Sequence, residues 1–152
     1  MTKVRTYARA ISIPVILGAL VGIITSGFMD YEELQRPILA PPSWLFPIVW
    51  TILYTLMGVS YGRLESNGKL TPEAKAIYYA QLITNLIWPV FFFVFEWRLF
   101  SFLWIILLLF LVVKMIMIFY KEDKLAGLLQ IPYLIWLIFA TYLNLATYLL
   151  NR

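Results

Sequence analysis

Five stretches of this sequence are long enough and apolar enough to cross the hydrocarbon core of a membrane. A helix needs roughly 20 apolar residues to span a core of about 30 Å. Only one stretch contains a charge, Lys114, whose long side chain can carry its ammonium group towards the lipid headgroups. The sequence therefore predicts an all-α integral membrane protein, a five-transmembrane-helix bundle forming one domain over residues 1–152. The predicted spans are residues 10–29, 43–62, 76–95, 99–120 and 125–150.

The composition supports a membrane protein and excludes several kinds of chemistry. Hydrophobic residues make up 62% of the chain and charged residues 13%, against about 45–50% and about 25% in soluble domains. The chain has no Cys and no His, so disulfides, thiol chemistry, histidine catalysis and a proximal histidine ligand to haem are excluded. We expect no metal site and no bound cofactor. The net charge of +4 is spread without a basic stripe, so we expect no nucleic-acid partner.

The distribution of basic residues predicts the orientation in the membrane. The N-terminus, the second loop and the region around the fourth loop together hold nine of the 12 Lys and Arg residues. Basic loops remain in the cytoplasm, so we expect a cytoplasmic N-terminus and an exterior C-terminus in a bacterial plasma membrane. An organellar outer membrane is the alternative location. A second alternative concerns the first span, because Thr25-Ser26-Gly27 after a basic and apolar stretch also fits a signal-peptide cleavage site.

The short connections contain recognisable boundary signals. Asn67-Gly68 is a turn signal, and Thr71 followed by Pro72 predicts an N-cap and the first position of the third helix. Gly18 and Gly22 form a Gly-xxx-Gly pair in the first span. Such a pair predicts close packing, either between two copies of the chain or within one bundle.

Aromatic rings and carboxamides recur at helical spacing in three of the spans. Residues three and four apart share a helix face, and an unpartnered amide is costly in lipid. These faces should therefore point inward and form a pocket for a flat, largely apolar ligand. The alternative is that the amides only join helices. The stripes are Phe46, Trp50, Tyr54, Met57 and Tyr61; Gln81, Asn85, Trp88 and Phe92; and Pro132, Trp136, Ala140 and Asn144.

Three segments of the chain resemble the translocator protein family, also called tryptophan-rich sensory proteins. They occur in the family's order, and the five-span layout covers essentially the whole chain. The sequence departs from the family at Leu39, where a Trp is frequent. The matching segments are residues 36–42 with Phe46, Trp50, Tyr54 and Gly58; Gln81 with Asn85, Trp88-Pro89 and Phe91-Phe92; and Pro132-Tyr133 with Trp136, Phe139-Ala140 and Leu143-Asn144.

The resemblance implies a function that the residues alone do not. Family members bind protoporphyrin IX and related porphyrins, benzodiazepine-type ligands and, in some lineages, sterols, in a pocket between the helices under the first loop. They commonly form homodimers. The resemblance therefore implies a receptor, sensor or transport protein with membrane lipid around it. By position, Trp50, Asn85, Trp136 and Ala140 would line the pocket, with Tyr54, Gln81, Trp88 and Phe92 as neighbours.

Two other functions stay open. Some bacterial relatives are reported to promote photo-oxidative porphyrin breakdown, and Trp50 and Trp136 would then be the catalytic residues of a light- and oxygen-dependent enzyme. A structural or regulatory membrane partner with a vestigial pocket is the other alternative. A Leu143, Tyr148 and Arg152 arrangement also fits a proposed sterol pattern, which we interpret as coincidence because bacteria seldom contain cholesterol.

Overall fold

The chain folds into a bundle of long helices. The computed structural model describes residues 2–28 and 34–152. Within these ranges, five helical segments are long and apolar enough to cross a membrane, with α5 and α6 together forming the fifth. This confirms the all-α, five-span prediction. The helices are α1 (Lys3–Ser26), α2 (Leu45–Ser66), α3 (Pro72–Pro89), α4 (Arg98–Glu122), α5 (Lys124–Leu128) and α6 (Ile131–Asn151), and a π-helical turn, Val90–Val94, continues α3.

The helix ends extend beyond the predicted spans where side chains cap them. α1 begins at Lys3 instead of residue 10, because Thr2 is its N-cap and accepts a hydrogen bond from the Arg5 amide at 3.3 Å. Thr71 accepts a hydrogen bond from the Ala74 amide at 3.0 Å, and Pro72 is the first residue of α3. The predicted cap is therefore confirmed.

The fifth span is interrupted where the prediction had one continuous helix. α5 ends at Leu128 and α6 begins at Ile131. Pro132 lies in the first turn of α6, and its missing amide cannot continue the hydrogen bonds of the preceding helix. The predicted turn at Asn67 and Gly68 is confirmed, since Gly68 has a φ of +68° that favours glycine.

The packing order leaves one side of the bundle open. α1 packs along α2, α3 along α4, and α4 along α6, with α1 also touching α3. α2 and α6 are not among the closely packed pairs. Large apolar side chains such as Ile23 and Met117 are exposed on the outer helix faces, as expected for a surface that contacts lipid.

Glycines let α1 approach α2 closely. A Cβ on Gly58 would lie 2.4 Å from the Ile11 Cα, so the two backbones are in contact at this point. Gly18 faces the ring of Tyr54 within the bundle, whereas a Cβ on Gly22 would meet nothing within 4 Å. Of the Gly-xxx-Gly pair, only Gly18 is therefore used for packing inside the bundle. Because of this close contact, α1 packs as part of the bundle.

An ion pair fixes the end of the bundle at which α4 meets α5. The Arg63 Nε lies 2.9 Å from Asp123 Oδ2, and Lys69 Nζ lies 3.9 Å from the same oxygen. The Asp123 carboxylate also accepts hydrogen bonds from the amides of Leu125 and Ala126 in α5. Burial alone would raise the pKa of Asp123, but Arg63 and the two amides outweigh burial and hold this pKa below its usual value.

Candidate functional site

A buried hydrogen-bonded cluster joins α2, α3 and α6. The Tyr54 hydroxyl donates to Asn85 Oδ1 at 2.7 Å, and Asn85 Nδ2 donates to the Tyr133 hydroxyl at 2.7 Å. The Tyr133 hydroxyl donates in turn to Gln81 Oε1 at 2.8 Å. All four side chains are buried. We call this group the amide–tyrosine cluster; its four members satisfy one another in a chain from α2 to α3 and α6.

The sequence places the cluster on the inner faces of these helices for a physical reason. Gln81 and Asn85 are four residues apart on α3, so both amides point the same way. An amide without hydrogen-bond partners is costly in lipid, so the Gln81 and Asn85 side chains point towards the hydroxyls of neighbouring helices. Trp50 then packs on the cluster, with its ring 5.5 Å from that of Tyr54 and 6.2 Å, edge-on, from that of Tyr133.

A second polar cluster lies where α3, α4 and α6 meet. The Trp88 indole donates to Asn144 Oδ1 at 2.9 Å, and Ser101 Oγ lies 3.1 Å from the same oxygen. Asn144 Nδ2 donates to the Arg98 carbonyl at 2.9 Å. Phe92 stacks on Trp88 with ring centroids 4.8 Å apart. Asn144 therefore ties the start of α4 to α3 and α6, and it is separate from the amide–tyrosine cluster.

A groove opens on the side where α2 and α6 are not closely packed. Its volume is about 440 Å³ and its walls are apolar. The Trp136 indole nitrogen is buried, yet it has no hydrogen-bond acceptor among the described residues. The Trp136 ring meets that of Phe46 edge-on at 6.0 Å. The lining residues are Val49 and Leu53 from α2 and Pro132, Ile135, Trp136 and Phe139 from α6.

The first loop connects α1 to α2, and its described residues 34–44 are hydrogen-bonded to α6 on the C-terminal side of the groove residues. The Tyr142 hydroxyl donates to the Ile38 carbonyl at 2.6 Å, and the Tyr142 ring stacks on the groove residue Phe139. Nearer the end of α6, Asn151 exchanges two hydrogen bonds with the backbone of Gln35, at 3.0 and 2.9 Å. Leu39 occupies a turn with a φ of +73°, a strained conformation for leucine.

The predicted site residues are distributed among these features. Trp136 lines the groove, and Ala140 lies one turn further along α6, packed against the core. The others lie inside the bundle: Trp50, Tyr54, Gln81 and Asn85 in or on the amide–tyrosine cluster, and Trp88 and Phe92 in the second cluster.

Several residues of the cluster and the groove were not predicted as site residues. Tyr133 completes the amide–tyrosine cluster, and Leu53 and Phe139 line the groove. A signal was present for Phe139, which is three residues after Trp136 and therefore shares its face. The sterol-like pattern does not form one exposed surface, because Leu143 is buried and only Arg152 is fully exposed.

The chemistry available at the groove is that of rings and one indole N–H. Within residues 2–28 and 34–152, no group of three or more His, Cys, Asp or Glu side chains is placed to hold a metal. The groove lining contains no acid or base. Such a surface can pack against a flat apolar molecule, and the Trp136 indole nitrogen lies buried behind it.

Comparison with known proteins shows a single family. The family model described as TspO/MBR family matches residues 10–149. A tryptophan-rich protein TspO of Archaeoglobus fulgidus is 39% identical over 122 residues, covering 80% of this chain and 79% of that protein. A tryptophan-rich sensory protein of Cereibacter sphaeroides is 39% identical over 125 residues, covering 80% and 76%. The human translocator protein is 33% identical over 135 residues, covering 84% and 80%. The predicted resemblance is thus confirmed, and the chain belongs to the TspO/MBR family of integral membrane proteins.

Proposed function

We propose that this protein is a membrane receptor or sensor that binds porphyrins and related flat, apolar molecules in the groove between α2 and α6. The observation that carries the proposal is the buried Trp136 indole nitrogen, which has no acceptor in the described part of the chain and lies in the wall of an apolar groove. A buried donor without a partner is destabilising by about 1–3 kcal/mol. A ligand acceptor would remove that penalty once the Trp136 side chain turned its nitrogen towards the groove.

The size and character of the groove support a ligand of this class. Pockets for small molecules commonly measure about 300–1,000 Å³ and are mostly apolar with few polar groups. The groove of about 440 Å³ has apolar walls, and one indole N–H is buried within them. Burial of apolar ring surface contributes about 25 cal/mol per Å², so a large flat ring gains several kcal/mol before the cost of association. Binding in the micromolar range is the expected outcome.

Two substitutions test the groove with protoporphyrin IX as the probe. Val49→Trp places an indole in the space between the helices and should abolish binding. Trp136→Phe keeps a ring but removes the donor and its penalty of about 1–3 kcal/mol, so affinity should fall at least about fivefold. Trp97→Phe, at an exposed turn, is the matched control and should bind normally. Binding is measured from porphyrin absorbance, because the variants change the number of tryptophans. Normal binding by Val49→Trp would show that the porphyrin does not bind in the groove.

Light-dependent porphyrin breakdown is a second candidate. The observation that favours it is the Trp136 indole in the wall of the groove. The Trp50 indole lies further inside the bundle, packed on Tyr54. An indole can supply an electron to an excited porphyrin without an acid–base residue. The test is a protein-dependent product band after illumination in air, lost when both tryptophans are replaced by Phe. A band produced equally by free tryptophan or by detergent alone would exclude enzymatic breakdown.

The membrane orientation and the oligomeric state are also proposals. We place the basic end of the bundle, with Arg63, Lys69 and Asp123, in the cytoplasm of a bacterial cell, because basic loops are retained there. The chain has no Cys, so single introduced thiols at Lys69 and Gln35 would report the side of each loop through an impermeant reagent. The expected homodimer is tested by native mass spectrometry in detergent.

A further inference from the structure

A lysine lies within the lipid-facing surface of the fourth span. Lys114 is exposed on α4, and it is the only charge between Leu99 and Tyr120. These residues form an apolar segment about 33 Å long at 1.5 Å per residue, the thickness of a hydrocarbon core. Lys114 is about 9 Å inside that segment from Tyr120. A charge at this depth is costly unless it reaches an anion.

No acidic side chain in the described part of the chain neutralises this lysine. No carboxylate in residues 2–28 or 34–152 lies within ion-pair distance of Lys114. The residues one turn away on α4, Phe110 and Ile118, are apolar. The side chain is long enough to carry the ammonium group towards the headgroup region. Its counter-ion is therefore expected to come from the membrane.

The surface around Lys114 has the form of a lipid site. Lys121 lies seven residues further on, on the same face and about 10 Å closer to the end of α4. An exposed apolar stripe continues in the other direction, towards the start of the helix. The stripe consists of Leu103, Leu107 and Phe110. A lipid phosphate would pair with the two ammonium groups, and an acyl chain of the same lipid would lie along the apolar stripe.

We propose that this face of α4 binds an anionic phospholipid, with the headgroup phosphate held between Lys114 and Lys121. This lipid site is separate from the groove and needs no ligand there. Lys114 is the one charge within the predicted spans. Neutral lipids lack the net charge needed to pair with both cations.

The test compares two spin-labelled lipids on the full-length protein in phosphatidylcholine vesicles. Electron paramagnetic resonance gives the relative association of labelled phosphatidylglycerol and labelled phosphatidylcholine with the protein surface. The wild type should prefer phosphatidylglycerol, and Lys114→Met should lower that preference about fivefold, the effect of one lysine near the surface. Lys114→Arg should retain it. Lys75→Met, an exposed lysine at the start of α3, is the matched control and should retain most of it.

Each outcome decides the proposal. A preference that is absent in the wild type, or unchanged in Lys114→Met, overturns it. Equal losses in Lys114→Met and Lys75→Met would show a general surface charge instead of a site, and would also overturn it. Folding is checked by the thermal midpoint, which should not fall in Lys114→Met because a charge is removed from an apolar face. If that variant is unstable, Lys114→Gln provides the same neutral comparison.

Discussion

The strongest test of the interior is the removal of single hydroxyls from the amide–tyrosine cluster. Tyr54→Phe removes the donor to Asn85 Oδ1 and leaves one buried amide atom without its partner. Tyr133→Phe removes the acceptor for Asn85 Nδ2 and the donor to Gln81 Oε1, and leaves two. Both substitutions keep the ring, so packing against Trp50 is preserved.

The magnitudes follow from the number of orphaned atoms. One buried polar atom without a partner costs about 1–3 kcal/mol in water-soluble proteins, whereas hydrogen bonds between membrane helices average about 0.6 kcal/mol. Tyr54→Phe should therefore lower the free energy of unfolding by about 1 kcal/mol, and Tyr133→Phe by about twice as much. Adding Gln81→Met to Tyr133→Phe removes one orphaned oxygen and should recover part of the loss.

The assay is reversible unfolding in mixed micelles, titrated with a denaturing detergent and followed by far-ultraviolet circular dichroism. This signal does not depend on the tyrosines that are changed. An equal loss in Tyr54→Phe and Tyr133→Phe would refute the reasoning, because it would mean that Asn85 and Gln81 find other partners. A Gln81→Met addition that worsens Tyr133→Phe would refute it as well.

Two further predictions concern the frame around the site. Gly58→Ala should lower the thermal midpoint, because its Cβ would meet the Ile11 backbone at 2.4 Å and overpacking costs about 1–3 kcal/mol; Gly22→Ala, with open space around it, should not. The ion pair of Asp123 should make stability depend on pH. Its pKa is held below the usual value, so its contribution is present above about pH 4 and is lost as the pH falls through the folded-state pKa. Asp123→Asn should lack this acid-dependent loss in a thermal melt, and an identical pH profile would contradict the argument.

The spans were predictable because a run of about 20 apolar residues without a charge is rarely anything but a membrane-spanning helix. The break in the fifth span was less predictable: Pro132 was visible, but a proline can either kink a helix or lie in the first turn of a new one. The cap at Thr71 and the turn at Gly68 are local, and the sequence was sufficient to predict them.

The arrangement inside the bundle was only partly predictable. Gln81 and Asn85 were expected to face inward, and both are buried. Asn144 was expected to share their interior, but it bonds instead to Trp88 and to the start of α4. Helical spacing identifies a face and not the neighbour that the face meets. Tyr133 was not predicted to join the cluster for a related reason. The predicted stripe on this helix runs from Pro132 in steps of four residues, and Tyr133 is not one of them.

The close approach at Gly58 has a mechanical consequence. Because their backbones are in contact at Gly58, α1 and α2 cannot separate without losing their closest packing. α4 is likewise packed against both α3 and α6. α1 and α2 therefore form one stiff pair and α3, α4 and α6 a second group, and the two are joined both where α1 touches α3 and where α2 touches α5. Because the Ser60 hydroxyl in α2 donates to the Ala126 carbonyl in α5 at 2.6 Å, any relative movement of the two groups must break a contact at one of these joints or a hydrogen bond of the amide–tyrosine cluster.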